Sequence, residues 1–189
     1  MGDGVSERRE ELAQGATDYV LEHGLIGLSL RPLGAALGTS DRMLLYHFSG
    51  KDDLVATVLR VSNERSVRAI RGLPASAGLR EAVLDLWHAF SAPDLARCQR
   101  LYVEACALGV LGTEPYASLM VEANDVWLGA LGDHLVASGM SRASAPRAAR
   151  LVEATFMGLQ LDEPIESEER IGASVADLAD AIAHRWGAA

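Results

Sequence analysis

The residues whose types suit chemistry lie together, between Ser29 and Leu54 (SLRPLGAALGTSDRMLLYHFSGKDDL). Arg42 can make a bidentate pair with guanine, Ser40 can meet a base or a phosphate, and Met43 can touch a thymine methyl. Tyr46, His47 and Lys51 suit phosphate contacts, which set register and supply salt-sensitive affinity. The chemistry implied is recognition of double-stranded DNA rather than bond making. His23, His47, His88, His134 and His184 are scattered, and neither a metal-binding His spacing, a Gly-rich phosphate loop nor a nucleophile elbow occurs. No enzymatic activity, metal or cofactor is expected.

These residues need a frame to present them. The segment reads as two short helices joined by a Gly-containing turn, with Ser29 capping the first and Pro32 in its opening turn. Leu30, Leu33 and Leu37 form its inner face, and Gly38 stops it. Thr39 or Ser40 caps the second helix, in which Leu44, Leu45 and Phe48 are expected to face inward. Small residues Gly34, Ala35 and Ala36 let the pair approach closely. Before it, a helix from about Ser6 to His23 carries Leu12, Ala16, Tyr19 and Val20. After it, Ser49 and Asp52 have capping-box spacing, and Leu54, Val55, Val58, Leu59 and Val61 follow as an apolar stripe. Such a helix-turn-helix can lay its second helix in the major groove.

The run resembles the DNA-binding domain of the TetR family of bacterial regulators. The resemblance rests on Ser29-Leu30-Arg31, Gly34 to Leu37, Gly38-Thr39-Ser40, Leu45-Tyr46-His47-Phe48 and Lys51-Asp52-Asp53-Leu54. One departure is present: Gly38 and Tyr46 stand one residue further apart than is common there, so an extra residue sits around Arg42-Met43. The resemblance implies DNA contacts from Arg31, Thr39, Ser40, Arg42, Met43, Tyr46, His47 and Lys51. It also implies a second, C-terminal region that holds a small-molecule pocket and dimerises.

The net charge of −9 is unusual for a DNA binder, but it is unevenly placed. Residues 1–71 hold nine basic and ten acidic side chains, while residues 72–189 hold eight and sixteen. The acidity therefore belongs to the second part and does not veto nucleic acid. Arg60, Arg65, Arg68 and Arg71 read as a solvated face, or as partners for acids of that second part. No apolar run reaches the ~18 residues of a membrane span, and the polar start, MGDGVSERREEL, lacks a signal-peptide core. A cytoplasmic protein with no membrane partner is expected. Cys98 and Cys106, eight residues apart on one helix, would lie about 12 Å apart, too far for a disulfide.

From Gly72-Leu73-Pro74 onward, longer helices are expected at about 78–91, 94–111, 115–138, 143–161 and 170–186, giving an all-α chain. The division is a helix-turn-helix domain at 6–66 and a ligand-binding and dimerisation domain at 74–189. Trp87, His88, Phe90, Tyr102, Met120, Asn124, Trp127 and Phe156 are bulky, adaptable or polar groups suited to an apolar pocket with a few anchors, as is Gln160. Leu151, Thr155, Gly158 and Leu159, with Val175, Leu178 and Ile182, form two stripes suited to a four-helix interface with a second chain. Two-fold symmetry would match a palindromic operator. The expected protein is thus a dimeric, DNA-binding repressor released by a small apolar or amphipathic ligand. A helical small-molecule-binding protein without DNA function, and an activator of the same family, are the competing expectations.

Overall fold

The computed structural model describes residues 3–187, with no strand among them. Their helices are α1 (Asp3–His23), α2 (Leu30–Ala36), α3 (Asp41–His47), α4 (Lys51–Arg71), α5 (Leu79–Phe90), α6 (Pro93–Val110), α7 (Tyr116–Ala137), α8 (Ala145–Asp162) and α9 (Glu168–Trp186). The all-α expectation holds, and the five later helices lie within two residues of their expected ends. Contacts divide the chain into two compact units. One comprises 1–65 with 96–123, the other 66–95 with 124–189. The division differs from the expected 6–66 and 74–189, since the stretch 96–123 groups with the N-terminal helices and 66–73 with the second unit.

In the first unit α1 begins at Asp3, so Ser6 lies inside the helix and is not its cap. Leu12, Ala13, Ala16 and Val20 of α1 are buried, as are Leu33, Leu44, Phe48, Leu54 and Val58 from α2, α3 and α4. This is the apolar face that helical spacing picks out. Arg65 bonds Asp18 Oδ1 and Gln14 Oε1 at 2.6 Å each, and Arg60 bonds Glu64 on its own helix. Of the two readings of these arginines, a solvated face or partners for acids of the second part, the second does not hold for Arg60 and Arg65, which bond within the first unit.

In the second unit α5 packs chiefly on α9, with α8 also against α9. The buried set includes Ala82, Val83, Leu86 and Phe90 on α5, Val152 and Phe156 on α8, and Val175, Leu178, Ala179 and Ile182 on α9. This overturns one expectation. Val175, Leu178 and Ile182 are spent within the chain, because α9 turns its apolar stripe towards its own core. On α8, Leu151 and Gly158 stay exposed, while Thr155 and Leu159 are half-buried. Cys98 is buried and Cys106 half-buried.

The segment before α5 is tied in by a polar link. Ser76 Oγ donates to Asp85 Oδ2 at 2.6 Å and lies 3.3 Å from His134 Nε2, while its backbone N–H donates to Ser138 Oγ at 3.0 Å. Burial pushes the His134 pKa below its ordinary value, against the opposing pull of the Asp85 charge. The native chain thus favours neutral His134, whereas the unfolded chain takes up a proton near the ordinary value of about 6.5. Stability contributed here is complete above that value and is lost as pH falls through and below it. Urea unfolding at stepped pH should show this loss beginning below about pH 6.5, and His134→Gln should flatten that part of the profile. An unchanged slope in the variant would assign the loss to other groups.

Candidate nucleic-acid interface

Two close approaches build the helix-turn-helix. The α2 C-terminus ends in a Schellman motif: Thr39 N–H donates to Gly34 O at 2.9 Å and Gly38 N–H to Ala35 O at 3.2 Å. Gly38 sits at φ +64°, in the left-handed region where a glycine is easiest to place. Gly34 is needed for space. A Cβ there would lie 3.0 Å from the Ser40 carbonyl carbon and 3.1 Å from the Asp41 nitrogen, both backbone atoms that cannot swing aside. Of the three small residues read as permitting close approach, only Gly34 is buried at it; Ala35 and Ala36 are exposed.

Helix α3 starts where Ser40, in extended conformation, accepts the Met43 N–H on its hydroxyl at 3.2 Å. That settles the cap between Thr39 and Ser40, and it engages the Ser40 side chain. Leu44 and Phe48, four residues apart, are buried and fix the helix phase. The phase turns Leu45 outward, 44% exposed, contrary to the expectation that it faces the core. Helix α3 runs without interruption, and Phe48 N–H still reaches Leu44 O at 2.9 Å. No bulge interrupts the helix around Arg42-Met43, where an extra residue was expected from the resemblance. The helix phase leaves Arg42, Met43, Leu45 and Tyr46 all exposed, Met43 at 44% and Tyr46 at 70%.

The remaining expected contacts divide. Arg31 is exposed and Thr39 half-buried. His47 is half-buried, its Nδ1 is buried with no hydrogen-bond partner, and its ring stands edge-on to Tyr46 at 5.2 Å. Lys51 has a role beyond the one expected: its ammonium donates to Leu28 O at 2.6 Å, joining the start of α4 to the strand of chain that enters α2. An ammonium carries three donors, so this bond leaves others for a phosphate. The capping-box reading is corrected by one residue, because Asp53, not Asp52, accepts the Ser49 N–H at 2.9 Å.

Sequence spacing gave no sign of Arg9. Its guanidinium donates from Nε to His47 O at 3.0 Å, lies 3.3 Å from both Asp53 oxygens and 3.5 Å from Thr57 Oγ1, and stacks over the Phe48 ring at 4.9 Å. One side chain of α1 thus binds the end of α3 and the start of α4. A second link comes from α6. Glu104 accepts the N–H groups of Leu25 and Ile26 at 2.6 and 2.9 Å, and Arg100 donates to Leu21 O at 2.5 Å. Both hold the corner between α1 and α2. Gly24, at φ +88°, leaves room there: a Cβ would stand 3.2 Å from a Glu104 oxygen.

In the second unit Trp87, Phe90, Trp127 and Phe156 form one aromatic cluster, with Trp87 edge-on to Phe156 at 5.0 Å and Phe90 5.4 Å from Phe156. Asn124 belongs to this unit and is half-buried, whereas Tyr102 and Met120 belong to the first. His88 is exposed and stands apart from the cluster. A groove of about 410 Å³ runs between α7 and α8, lined by Leu128, Gly132 and Pro146 with Asp125, Asp133, Arg142 and Arg150 at its edges. None of the residues expected at a ligand site lines it.

No family model matches the chain. The HTH-type transcriptional repressor AcnR of Corynebacterium diphtheriae is 32% identical over 82 residues, which is 43% of this chain and 41% of that protein, so the match spans less than half the length of that relative. A transcriptional regulator from Rhodococcus sp. Rha1 superposes with a TM-score of 0.76 at 20% identity, covering 96% of this chain and 98% of the other. A protein assigned to the TetR-family regulators, also from Rhodococcus sp., gives 0.71 at 21% identity, covering 93% and 98%. BioQ, in complex with its natural double-stranded DNA operator, gives 0.59 at 23% identity, covering 93% and 98%. The chain therefore has the TetR-type fold over nearly its whole length.

Replacing Gly34 by Ala should destabilise the protein by about 1–3 kcal/mol, since the turn backbone must move. Chemical denaturation measures this, and a neutral effect would mean the α2–α3 approach is slack. Arg9→Leu should cost about 1–2 kcal/mol, discounted for the partial exposure of the pair.

Proposed function

We propose that this chain, which has the fold of the TetR-family regulators, is a dimeric DNA-binding transcriptional repressor. The observation that carries the reading is the outer face of α3. Arg42, Met43 and Tyr46 project from one side of a short helix whose opposite side, Leu44 and Phe48, is locked in the core. That is the presentation a recognition helix needs to enter the major groove. Arg42 and Met43 read base edges, Tyr46 and Arg31 meet the backbone, and Lys51 adds a phosphate contact beside its bond to Leu28 O. Thr39, Ser40 and His47 serve mainly to shape the turn and the helix end. The fold shared with BioQ, which was seen on its operator, supports the same reading.

The division of labour proposed is a DNA-reading region at 6–66 and an effector and dimerisation region at 74–189. A second copy packs on the exposed face of α8, where Leu151, Thr155 and Gly158 lie and where a Cβ at Gly158 would meet nothing within 4 Å. A small molecule bound in the second unit favours a conformation with the wrong spacing between the two DNA-reading heads, so the operator is released. No described helix is long and apolar enough to cross a membrane, consistent with action in the cytoplasm.

Fluorescence anisotropy with palindromic fragments from the protein's own promoter region tests the core of this. Affinity should fall by roughly a hundredfold or more between about 50 and 200 mM salt. Salt-independent binding, or none to any genomic fragment, would overturn it. Arg42→Ala should change the ranking of operator variants by about 1–3 kcal/mol, whereas Lys51→Ala should weaken all of them alike. If the two variants behave the same, Arg42 does not read bases.

A further inference from the structure

Helix α3 shows more apolar surface than its packing requires. Of its seven residues, Met43 and Leu45 are each 44% exposed and Tyr46 is 70% exposed. Arg42 is the one lysine or arginine in the helix, and it too is exposed. Apolar side chains scattered singly over a surface are ordinary, whereas several on one short face mark a contact. Leu45 carries the most information. Leu44 and Phe48 are the residues that fill the core, and Leu45, one position on from Leu44, is turned about 100° out of it.

The helical period arranges the exposed side chains around the cation. At 100° per residue, Arg42 and Tyr46 stand within about 40° of each other, opposite Leu44 and Phe48. Met43 lies about 100° to one side of Arg42, and Leu45 about 60° to the other. Along the axis Met43 is about 1.5 Å past Arg42 and Leu45 about 4.5 Å past it. Apolar groups therefore flank the guanidinium on both sides. On α3 the flank of Leu45 has no cation to offer a phosphate. One turn earlier it carries Asp41, whose carboxylate accepts the Arg42 N–H at 2.8 Å.

Base edges in the major groove present hydrogen-bond donors and acceptors and one apolar group, the thymine C5-methyl. We infer that Leu45 is a specificity-determining residue that packs on a thymine methyl. The half-site it selects has a G·C pair, read by Arg42, with a thymine to each side, one met by Leu45 and the other by Met43. The axial offset of Leu45 from Arg42 is little more than the 3.4 Å rise of one base-pair step, so its thymine lies close to that G·C pair. Covering one methyl with an apolar side chain strengthens binding by about fourfold. The inference rests on the DNA-reading role proposed above for α3, and it narrows that role to one class of sequence.

The test uses the full chain to select duplexes from a random pool. The selected duplex is then remade with deoxyuridine in place of one thymidine at a time, which removes a methyl group and leaves charge and base pairing as they were. The G·C pair is located as the one whose preference Arg42→Ala abolishes. Affinity, read by fluorescence anisotropy, should fall about fourfold at one thymine on each side of that pair and stay level at the other thymines. The salt slope should not change, because no phosphate contact is lost. In Leu45→Ala the thymidine-to-deoxyuridine ratio should drop to about one at the first of these positions and persist at the second, and Met43→Ala should do the reverse. Circular dichroism checks folding, and Leu45→Gln reads the same ratio if Leu45→Ala does not fold. Indifference to deoxyuridine at every position of a duplex the protein selects overturns the inference and leaves the regulator reading standing. A ratio that survives in the folded Leu45 variant overturns it too, and a change in sedimentation of that free variant would then assign Leu45 to contact with another protein. Failure to select any sequence removes the regulator reading and the inference with it.

Discussion

Arg9, on α1, ties the end of α3 to the start of α4. Helix α3 has seven residues, far fewer than an isolated helix needs to persist in water. Its position depends on what it is fastened to. Leu44 and Phe48 anchor it by burial, but burial alone allows a short helix to pivot about its axis. The guanidinium of Arg9 restrains that motion by binding the His47 carbonyl, lying flat on Phe48, and reaching the Asp53 carboxylate that caps the start of α4. A charge-assisted bond to a carbonyl at a helix end also satisfies an acceptor that the helix cannot. The outer face bearing Arg42 and Tyr46 is aimed by these contacts behind it.

The same logic explains which parts of the interface the sequence disclosed. Gly38 at the turn, Leu44 and Phe48 in the core and the exposed run Arg42, Met43, Tyr46 were legible, because turn chemistry and helical period are local properties. Leu45 was not. Two adjacent leucines offer two possible phases, and only the joint burial of Leu44 with Phe48 selects one. The capping group of α4 was off by one residue for a similar reason: Asp52 and Asp53 are equivalent on spacing, and the Arg9 contact that favours Asp53 comes from far away in the chain. Arg9 itself was invisible, since an arginine in a polar N-terminal stretch looks like any solvated charge.

In the second unit the local signals were less decisive. Helix ends were read well from Pro93, Pro115 and Gly139. Yet α9 has an apolar stripe that suits a partner chain as well as its own core, and it is α5 that covers it. Periodicity states that a face is buried and not by what. Aromatic residues posed the same ambiguity: Trp87, Phe90, Trp127 and Phe156 converge, while His88, adjacent to Trp87 in sequence, points away because one residue is a 100° turn. The core of the second unit is thus shaped by which aromatic edges meet, something that single-sequence patterns do not encode.

The Glu104 carboxylate has a bearing on the order in which the chain can assemble. Leu25 and Ile26 donate to a residue 79 and 78 positions further along. While the chain is being made, α1 to α4 are complete long before α6 exists, so the corner that sets up α2 first forms with two N–H groups bound only to water. It gains the Glu104 acceptor only when α6 is present. These contacts of long sequence separation raise the contact order of a chain that is otherwise rich in local helical contacts. A fragment ending after α4 would keep the helices but not the finished corner.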